Sequence, residues 1–168
     1  AGQLTQTKSG AFEVGRNLAT TPGKVVKETP LYQLIQYTPT TDEVLESPVV
    51  VFPPWINRLY ILDLTPEKSF AKWCVDHGVT LSMVSWKSAD ESIADLGLDD
   101  SVLKGQIGAI DTVRDLLDVE GVHTIGYCVA GTALAATHGY LHAKKRQDTV
   151  KSATFLTAQV DFSQAGDL

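Results

Sequence analysis

Residues 122–132 read VHTIGYCVAGT, and they predict a sharp turn from a strand into a helix. The apolar and β-branched residues at 122–127 predict a buried strand, and the alanine-rich residues at 129–142 predict a helix. Cys128 therefore stands where the strand ends and the helix begins. A bend this sharp holds its central residue in a strained backbone and projects that side chain from the edge of the sheet. The stretch thus marks Cys128 as a candidate nucleophile.

The segments on either side alternate between strand and helix patterns. Residues 24–28 and 31–37 predict an opening antiparallel pair, and residues 49–52, apolar on both faces, predict a central parallel strand. The remaining predictions are a helix with Thr65 as its cap and Gly78 after its end, a strand at 79–86, a helix from Asp99 or Asp100 to Leu117, and a strand at 153–158. This order predicts an α/β fold of the α/β-hydrolase-like type, a mostly parallel sheet with helices on both faces and an incomplete core.

Small residues flank Cys128, as such a bend requires. Strand and helix approach closely only where the residues two positions away are small, a condition that Gly126 meets fully and Ala130 adequately. Gly131 completes the small residues of the bend. The start of the helix also places backbone N–H groups around the sulfur, an arrangement that favours a reactive thiolate.

Two backbone amides are candidates for stabilising an oxyanion. One is the N–H of Val129, directly after the candidate nucleophile. The second is expected from the loop after the third strand, which reads PPWIN at 53–57, and the N–H of Ile56 or Trp55 is favoured. Together with the cysteine, these amides indicate acyl-transfer chemistry.

The composition argues against several other function classes. The 168 residues carry 20 acidic and 14 basic side chains, a formal net charge of −6. Phosphate binding needs concentrated positive charge, so nucleic acid is not expected as a partner. No run approaches the ~18 apolar residues of a transmembrane segment. Two cysteines in different segments, without a signal-peptide pattern, indicate a reducing cytoplasm.

The histidines and the remaining acidic residues are weaker candidates for chemistry. His138 and His142 are four residues apart on one predicted helix, but the glutamate of a zinc protease helix and a third ligand are missing, so no metal is expected. His123 begins the strand before the bend, at the wrong end of the sheet for a base. Asp161 follows the last strand and is a minor candidate for the acid of a triad, whereas Asp63 has no derived role.

Five separate blocks of sequence carry a resemblance to a known family. They read GRNLATTPG at 15–23, LIQY at 34–37, PPWIN at 53–57, YILDL at 60–64 and GYCVAGT at 126–132. In this order they resemble the class I polyhydroxyalkanoate synthases, which include the poly-3-hydroxybutyrate synthases. Two positions depart from the family pattern, which often has glycine where Ala130 stands and cysteine where Trp55 stands.

The resemblance implies an acyltransferase that polymerises (R)-3-hydroxyacyl-CoA into polyester and releases CoA, with the growing chain held on Cys128 as a thioester. CoA belongs to the substrate, so no separate cofactor is expected. The family further implies a homodimer, a cytoplasmic location at the surface of polyester granules, and a catalytic aspartate and histidine beyond residue 168. Residues 1–23 are then a segment preceding the core, and residues 24–168 the N-terminal part of the catalytic domain, inactive alone.

Two other interpretations stay open. A cysteine-dependent hydrolase of the same fold would give the acyl group to water instead of a hydroxyl. A non-catalytic α/β domain, granule-associated or binding, would leave Cys128 idle, in the way we expect Cys74 to be inert on the core face of its helix. A phosphate-binding loop at 126–132 is excluded, because the lysine of that motif is absent.

Overall fold

The computed structural model describes residues 8–164 and 166, most of which are organised around a six-stranded sheet. The strands, in chain order, are β1 (Gly23–Glu28), β2 (Tyr32–Tyr37), β3 (Val49–Phe52), β4 (Asp63–Thr65), β5 (Lys68–Ser69), β6 (Leu81–Trp86), β7 (Val122–Tyr127) and β8 (Val150–Leu156). The spatial order in the large sheet is β1-β2-β6-β3-β7-β8, and β4 with β5 forms a separate hairpin.

The direction of the strands changes once across the large sheet. β1 and β2 are antiparallel, β2 is antiparallel to β6, and β6, β3, β7 and β8 are parallel to one another. The predicted antiparallel opening pair and the predicted central strand at 49–52 are confirmed. The four parallel strands therefore end at the same edge of the sheet, where doubly wound α/β folds bind their ligands.

Helices cover both faces of this sheet. They are α1 (Phe70–Asp76), α2 (Leu98–Asp100), α3 (Gly108–Leu117) and α4 (Val129–Ala143). Val50 and Phe52 of β3 pack in one core cluster with residues of α3 and α4, while Val51 packs in a second cluster with residues of α1. The alternation of side chains along a strand produces this division. None of the helices in the described ranges is both long and apolar enough to cross a bilayer.

The predicted helix at 99–117 is present, but its winding changes along its length. A π-helical segment, Ser101–Ile107, joins α2 to α3. The wider π turn moves the buried face relative to ideal α-helical spacing. Val102 is therefore buried, whereas Leu103, which the 3.6-residue pattern places on the core face, is 40% exposed.

The predicted start of α1 at Thr65 is wrong. Residues around Thr65 form the β4–β5 hairpin, and the helix begins at Phe70 with Ser69 as its cap. The Ser69 hydroxyl accepts a hydrogen bond from the backbone N–H of Lys72 at 2.8 Å and donates one to the buried Asp63 carboxylate at 2.7 Å. This pair of bonds holds the hairpin against the helix start, so a tertiary contact overrides the local Thr-Pro signal.

The last predicted strand is displaced towards the N-terminus. β8 spans Val150–Leu156 instead of 153–158, because its pairing with β7 begins at Val122 opposite Val150. After β8 the chain turns at Thr157, whose φ is 45°.

The contact between β7 and α4 is close enough to require glycine on both sides. A Cβ placed on Gly126 would lie 2.7 Å from the Cα of Gly131. A Cβ placed on Gly131 would lie 2.8 Å from the carbonyl oxygen of Gly126 and 2.6 Å from the Cβ of Ala158. Backbone atoms cannot yield as flexible side chains do, so both positions exclude any side chain unless the helix moves away from the strand.

We expect Gly131→Ala to lower the free energy of unfolding by about 1–3 kcal/mol, because the added methyl group overpacks the contact between helix and strand. Gly139→Ala is the matched control on the same helix, since a Cβ there would meet nothing within 4 Å. It should raise stability by up to about 1 kcal/mol through higher helix propensity. Urea unfolding followed by circular dichroism measures both variants, and equal effects would contradict the close contact.

Candidate active site

Cys128 occupies the bend between β7 and α4 in a left-handed backbone conformation. Its φ is 57° and its ψ is −130°, values that a non-glycine residue adopts only at a cost of about 1–3 kcal/mol. The side chain is exposed, at the edge of the sheet where the parallel strands end. The structure thus places the sulfur within reach of a ligand at that edge.

Backbone hydrogen bonds on both sides fix the position of Cys128. Its N–H donates to the carbonyl of Leu156 at the end of β8, at 2.9 Å. Its carbonyl oxygen accepts from the N–H of Gly131 at 2.9 Å and from that of Thr132 at 3.1 Å. The strained conformation is therefore maintained by the strand beside it and by the first turn of α4.

The amide of Val129 meets the requirement for an oxyanion donor. It opens α4, where the first N–H groups of a helix have no carbonyl to bind within the helix. Across the described ranges its N–H donates to no other group, and its residue is 42% exposed. The positive end of the α4 dipole lies at the same place.

The loop that is expected to supply the second donor follows β3, the strand next to β7. β3 runs parallel to β7 with Phe52 paired to Gly126, so the loop after Phe52 and the bend at Cys128 leave adjacent strand ends. Ile56, in this loop, is 89% exposed. The structure therefore brings the candidate donors to the same edge as the cysteine.

Two hydrogen bonds hold the shape of this loop. The indole N–H of Trp86 donates to the carbonyl of Pro53 at 2.9 Å in a buried contact. The N–H of Arg58 donates to the carbonyl of Pro54 at 2.8 Å and closes a turn around Trp55 and Ile56. A donor held in this way needs little reorganisation when charge develops on a substrate.

A cleft of about 470 Å³ opens beside the same loop, between the strand ends of β3 and β6. Most of its lining is apolar and includes Leu31, Trp55, Ile56, Trp86, Ile93 and Leu96. The rings of Trp55 and Trp86 meet edge to face, with centroids 6.3 Å apart. An apolar group fits this lining better than a charged one.

The glycine missing at position 130 has no structural consequence. Ala130 is fully buried and packs in a core cluster with residues of α3 and of the sheet. Gly131 faces β7. The small residue needed on the helix side is therefore at position 131, one residue later than the predicted pairing of Gly126 with Ala130.

The histidines of the described ranges lie away from the bend. His123, at the amino end of β7, is hydrogen-bonded to the Ser152 hydroxyl at 2.7 Å and stands at the opposite end of the strand from Cys128. Burial lowers the pKa of His138, and His142 is exposed near the end of α4. Among the residues that the structure describes, no three His, Cys, Asp or Glu side chains are grouped as metal ligands.

Asp161 lies past the end of β8 and is exposed. Its carboxylate accepts a hydrogen bond from the N–H of Ser163 at 2.9 Å, and this bond holds the pKa of Asp161 below its usual range. The preceding segment is tied to α4 through the Thr132 hydroxyl, which donates to the carbonyl of Gln159 at 2.7 Å. No described histidine is hydrogen-bonded to Asp161, so its contacts are those of a loop cap.

Asp63 is buried, and its hydrogen bonds connect separate segments of the chain. Its carboxylate accepts from the Thr21 hydroxyl at 2.6 Å and from the Ser69 hydroxyl at 2.7 Å, and so joins the segment before β1 to the start of α1. Burial, with a smaller effect of the Asp63 charge, raises the pKa of Tyr37 above its ordinary value. Asp63 therefore fastens the N-terminal segment to the core.

Cys74 has the opposite environment to Cys128. It lies on the core side of α1 with only 4% of its surface exposed, and burial raises the pKa of its thiol to about 11. At neutral pH this thiol is protonated and enclosed.

The sequence of this chain is similar to sequences of known proteins. Residues 1–74 match the family model described as the poly-beta-hydroxybutyrate polymerase (PhaC) N-terminus. The poly(3-hydroxyalkanoate) polymerase subunit PhaC of Rhizobium etli is 46% identical over 99% of this chain, which spans 26% of that relative. The poly(3-hydroxyalkanoate) polymerase of Methylorubrum extorquens is also 46% identical over 99% of the chain, which spans 28% of it.

Several solved structures that resemble this chain are esterases. An arylesterase superimposes with a TM-score of 0.59 at 18% sequence identity, over 88% of this chain and 48% of that chain. At this identity the likeness concerns the fold alone, and it confirms the predicted α/β-hydrolase-like architecture with an incomplete core. This chain is therefore similar along nearly its whole length to poly(3-hydroxyalkanoate) polymerases, and it spans about a quarter of the length of the relatives named above.

Proposed function

We propose that this chain supplies the nucleophile of a polyhydroxyalkanoate synthase, an acyltransferase that polymerises (R)-3-hydroxyacyl-CoA into polyester. The observation that carries the proposal is the exposed thiol of Cys128, placed at a strained bend beside the free N–H of Val129. A buried, inert cysteine needs neither the exposure nor the strain. The family of the relatives supplies the reaction class.

The proposed chemistry begins with transfer of the acyl group to the protein. The Cys128 thiolate attacks the carbonyl carbon of the acyl-CoA thioester, and the oxyanion that forms accepts hydrogen bonds from the N–H of Val129 and from that of Ile56 or Trp55. The C–S bond to CoA then breaks, and CoA leaves as a thiolate that takes up a proton. One thioester replaces another, so the exchange is nearly balanced in free energy.

Chain growth follows from a second attack on the same carbonyl carbon. The hydroxyl of another hydroxyacyl group gives its proton to a general base and attacks the Cys128 thioester, which forms an ester bond and releases the thiolate. The base and its acid partner are the histidine and aspartate that the family places beyond residue 168. General base catalysis typically contributes ~10² to 10⁴ in rate, so this chain by itself is proposed to be inactive.

The other features of the enzyme follow from the same proposal. Residues 1–23 precede the core, and residues 24–168 form the N-terminal part of the catalytic domain. CoA arrives as part of the substrate, and no separate cofactor takes part. The full-length protein is proposed to act as a homodimer in the cytoplasm at the surface of polyester granules.

Replacing the nucleophile should abolish polymerisation. We expect Cys128→Ala in the full-length polymerase to lower kcat by at least about 10³-fold, because no other group can carry the acyl chain. Cys74→Ala is the matched control and should keep its rate, since that thiol lies on the core side of α1. Release of CoA and the mass of polymer measure the reaction. Free 3-hydroxy acid in place of polymer would identify a hydrolase, and unchanged polymerisation by Cys128→Ala would overturn the proposal.

The two thiols should differ in reactivity in the native protein. At pH 8, iodoacetamide should label Cys128 at least about tenfold faster than Cys74, because burial keeps the second thiol protonated and enclosed. Labelling of Cys74 should rise only as the pH approaches 11. Mass spectrometry of the labelled peptides gives both rates, and urea should remove the difference. Equal rates in the native protein would favour an idle cysteine in a non-catalytic domain.

A further inference from the structure

Gln106 is a fully buried polar residue, one position before the end of the π-helical segment. Both ends of its amide are hydrogen-bonded to α4. Its Nε2 donates to the carbonyl of Ala130 at 2.8 Å, and its Oε1 accepts from the hydroxyl of Thr137 at 2.7 Å. Ala130 and Thr137 are seven residues apart, so one side chain holds the same face of α4 at points two turns apart.

The bond to Ala130 acts on the peptide unit that holds Cys128. The carbonyl of Ala130 and the N–H of Gly131 belong to the same planar peptide. That N–H donates to the carbonyl of Cys128 at 2.9 Å. A peptide whose carbonyl accepts a hydrogen bond becomes a stronger donor through its N–H, because chains of hydrogen bonds polarise one another. Gln106 is therefore connected to the strained bend through a single peptide plane.

The residue before Gln106 contacts the other half of the candidate site. A Cβ placed on Gly105 would lie 3.1 Å from the ring of Trp86, so the backbone and the indole are in close contact. The same indole donates to the carbonyl of Pro53 in the loop after β3. Two consecutive residues of one π-helical segment are thus connected to the two parts of the candidate site. Gln106 is connected to the bend at Cys128 through one peptide, and Gly105 to the loop after β3 through the Trp86 ring. Irregular π winding of this kind often occurs at functional sites.

We infer that Gln106 is a positioning residue for the nucleophile, acting through the Ala130–Gly131 peptide on the backbone of Cys128. The inference rests on the proposed function of Cys128. Gln106 touches no substrate in this role. It sets the direction of the thiol and of the Val129 N–H relative to the loop after β3, and a misplacement of about 1 Å at a reacting centre can lower a rate by about 100-fold.

The test compares three variants of the full-length polymerase. Gln106→Met has nearly the same volume and removes both hydrogen bonds, whereas Thr137→Val removes only the bond remote from the bend. Gln106→Leu also removes both hydrogen bonds, whereas a glutamate at this fully buried position would be protonated and could still donate to Ala130. We expect kcat to fall by about 10-fold to 100-fold in both Gln106 variants, with KM nearly unchanged. Thr137→Val should keep at least about half of the kcat of the unmodified polymerase.

Unfolding temperatures separate positioning from stability. All three variants lose buried hydrogen bonds, so each is assayed well below its own unfolding temperature, and if Gln106→Met does not fold, Gln106→Leu gives the result. The inference would be overturned if kcat fell in proportion to the loss of stability in all three variants, including Thr137→Val. It would also be overturned if kcat were unchanged in the Gln106 variants. Cys128→Ala, assayed alongside, keeps the two proposals distinct. If it still polymerises, the proposed function fails; if it is inactive and the Gln106 variants are not impaired, only the inference fails.

Discussion

The close approach of β7 to α4 sets the geometry of the bend that carries Cys128. Gly126 and Gly131 lie in contact, so the chain must reverse from strand to helix within a few residues. Cys128 is the residue that takes the left-handed conformation this reversal demands. The same reversal exposes its side chain and leaves the first amide of α4 without an acceptor. Strain, exposure and a free donor are thus consequences of one packing contact.

The order of the parallel strands places the other candidate groups around that bend. β3 lies between β7 and β6, so the loop after β3 has the cysteine on one side and the apolar cleft on the other. Trp86, at the end of β6, holds this loop through the carbonyl of Pro53. The cleft therefore adjoins the loop that holds one of the candidate oxyanion donors.

Two buried polar residues stabilise different parts of the structure. Asp63 joins the segment before β1 to the cap of α1, on the face of the sheet away from α4. Gln106 joins the π-helical segment to α4. The hydrogen bonds of each side chain offset much of the free-energy cost of removing its polar atoms from water. Thr21 is 42 residues from Asp63, and the partners of Gln106 are 24 and 31 residues from it, so both residues link elements that helix and strand propensities alone would leave independent.

Apolar periodicity and small residues at a turn are local signals, and they suffice to predict the strand at 49–52, the bend at Cys128 and the α/β-hydrolase-like order of elements. Contacts between elements settle which residue caps α1, which glycine faces β7, and that Gln106 lies in the core. Ser69 caps α1 because its hydroxyl also binds Asp63, and the π winding places Val102 instead of Leu103 on the buried face. The partners of Gln106 are 24 and 31 residues away from it, and no local pattern predicts them, because a sequence motif encodes burial and turning but not the identity of a distant partner.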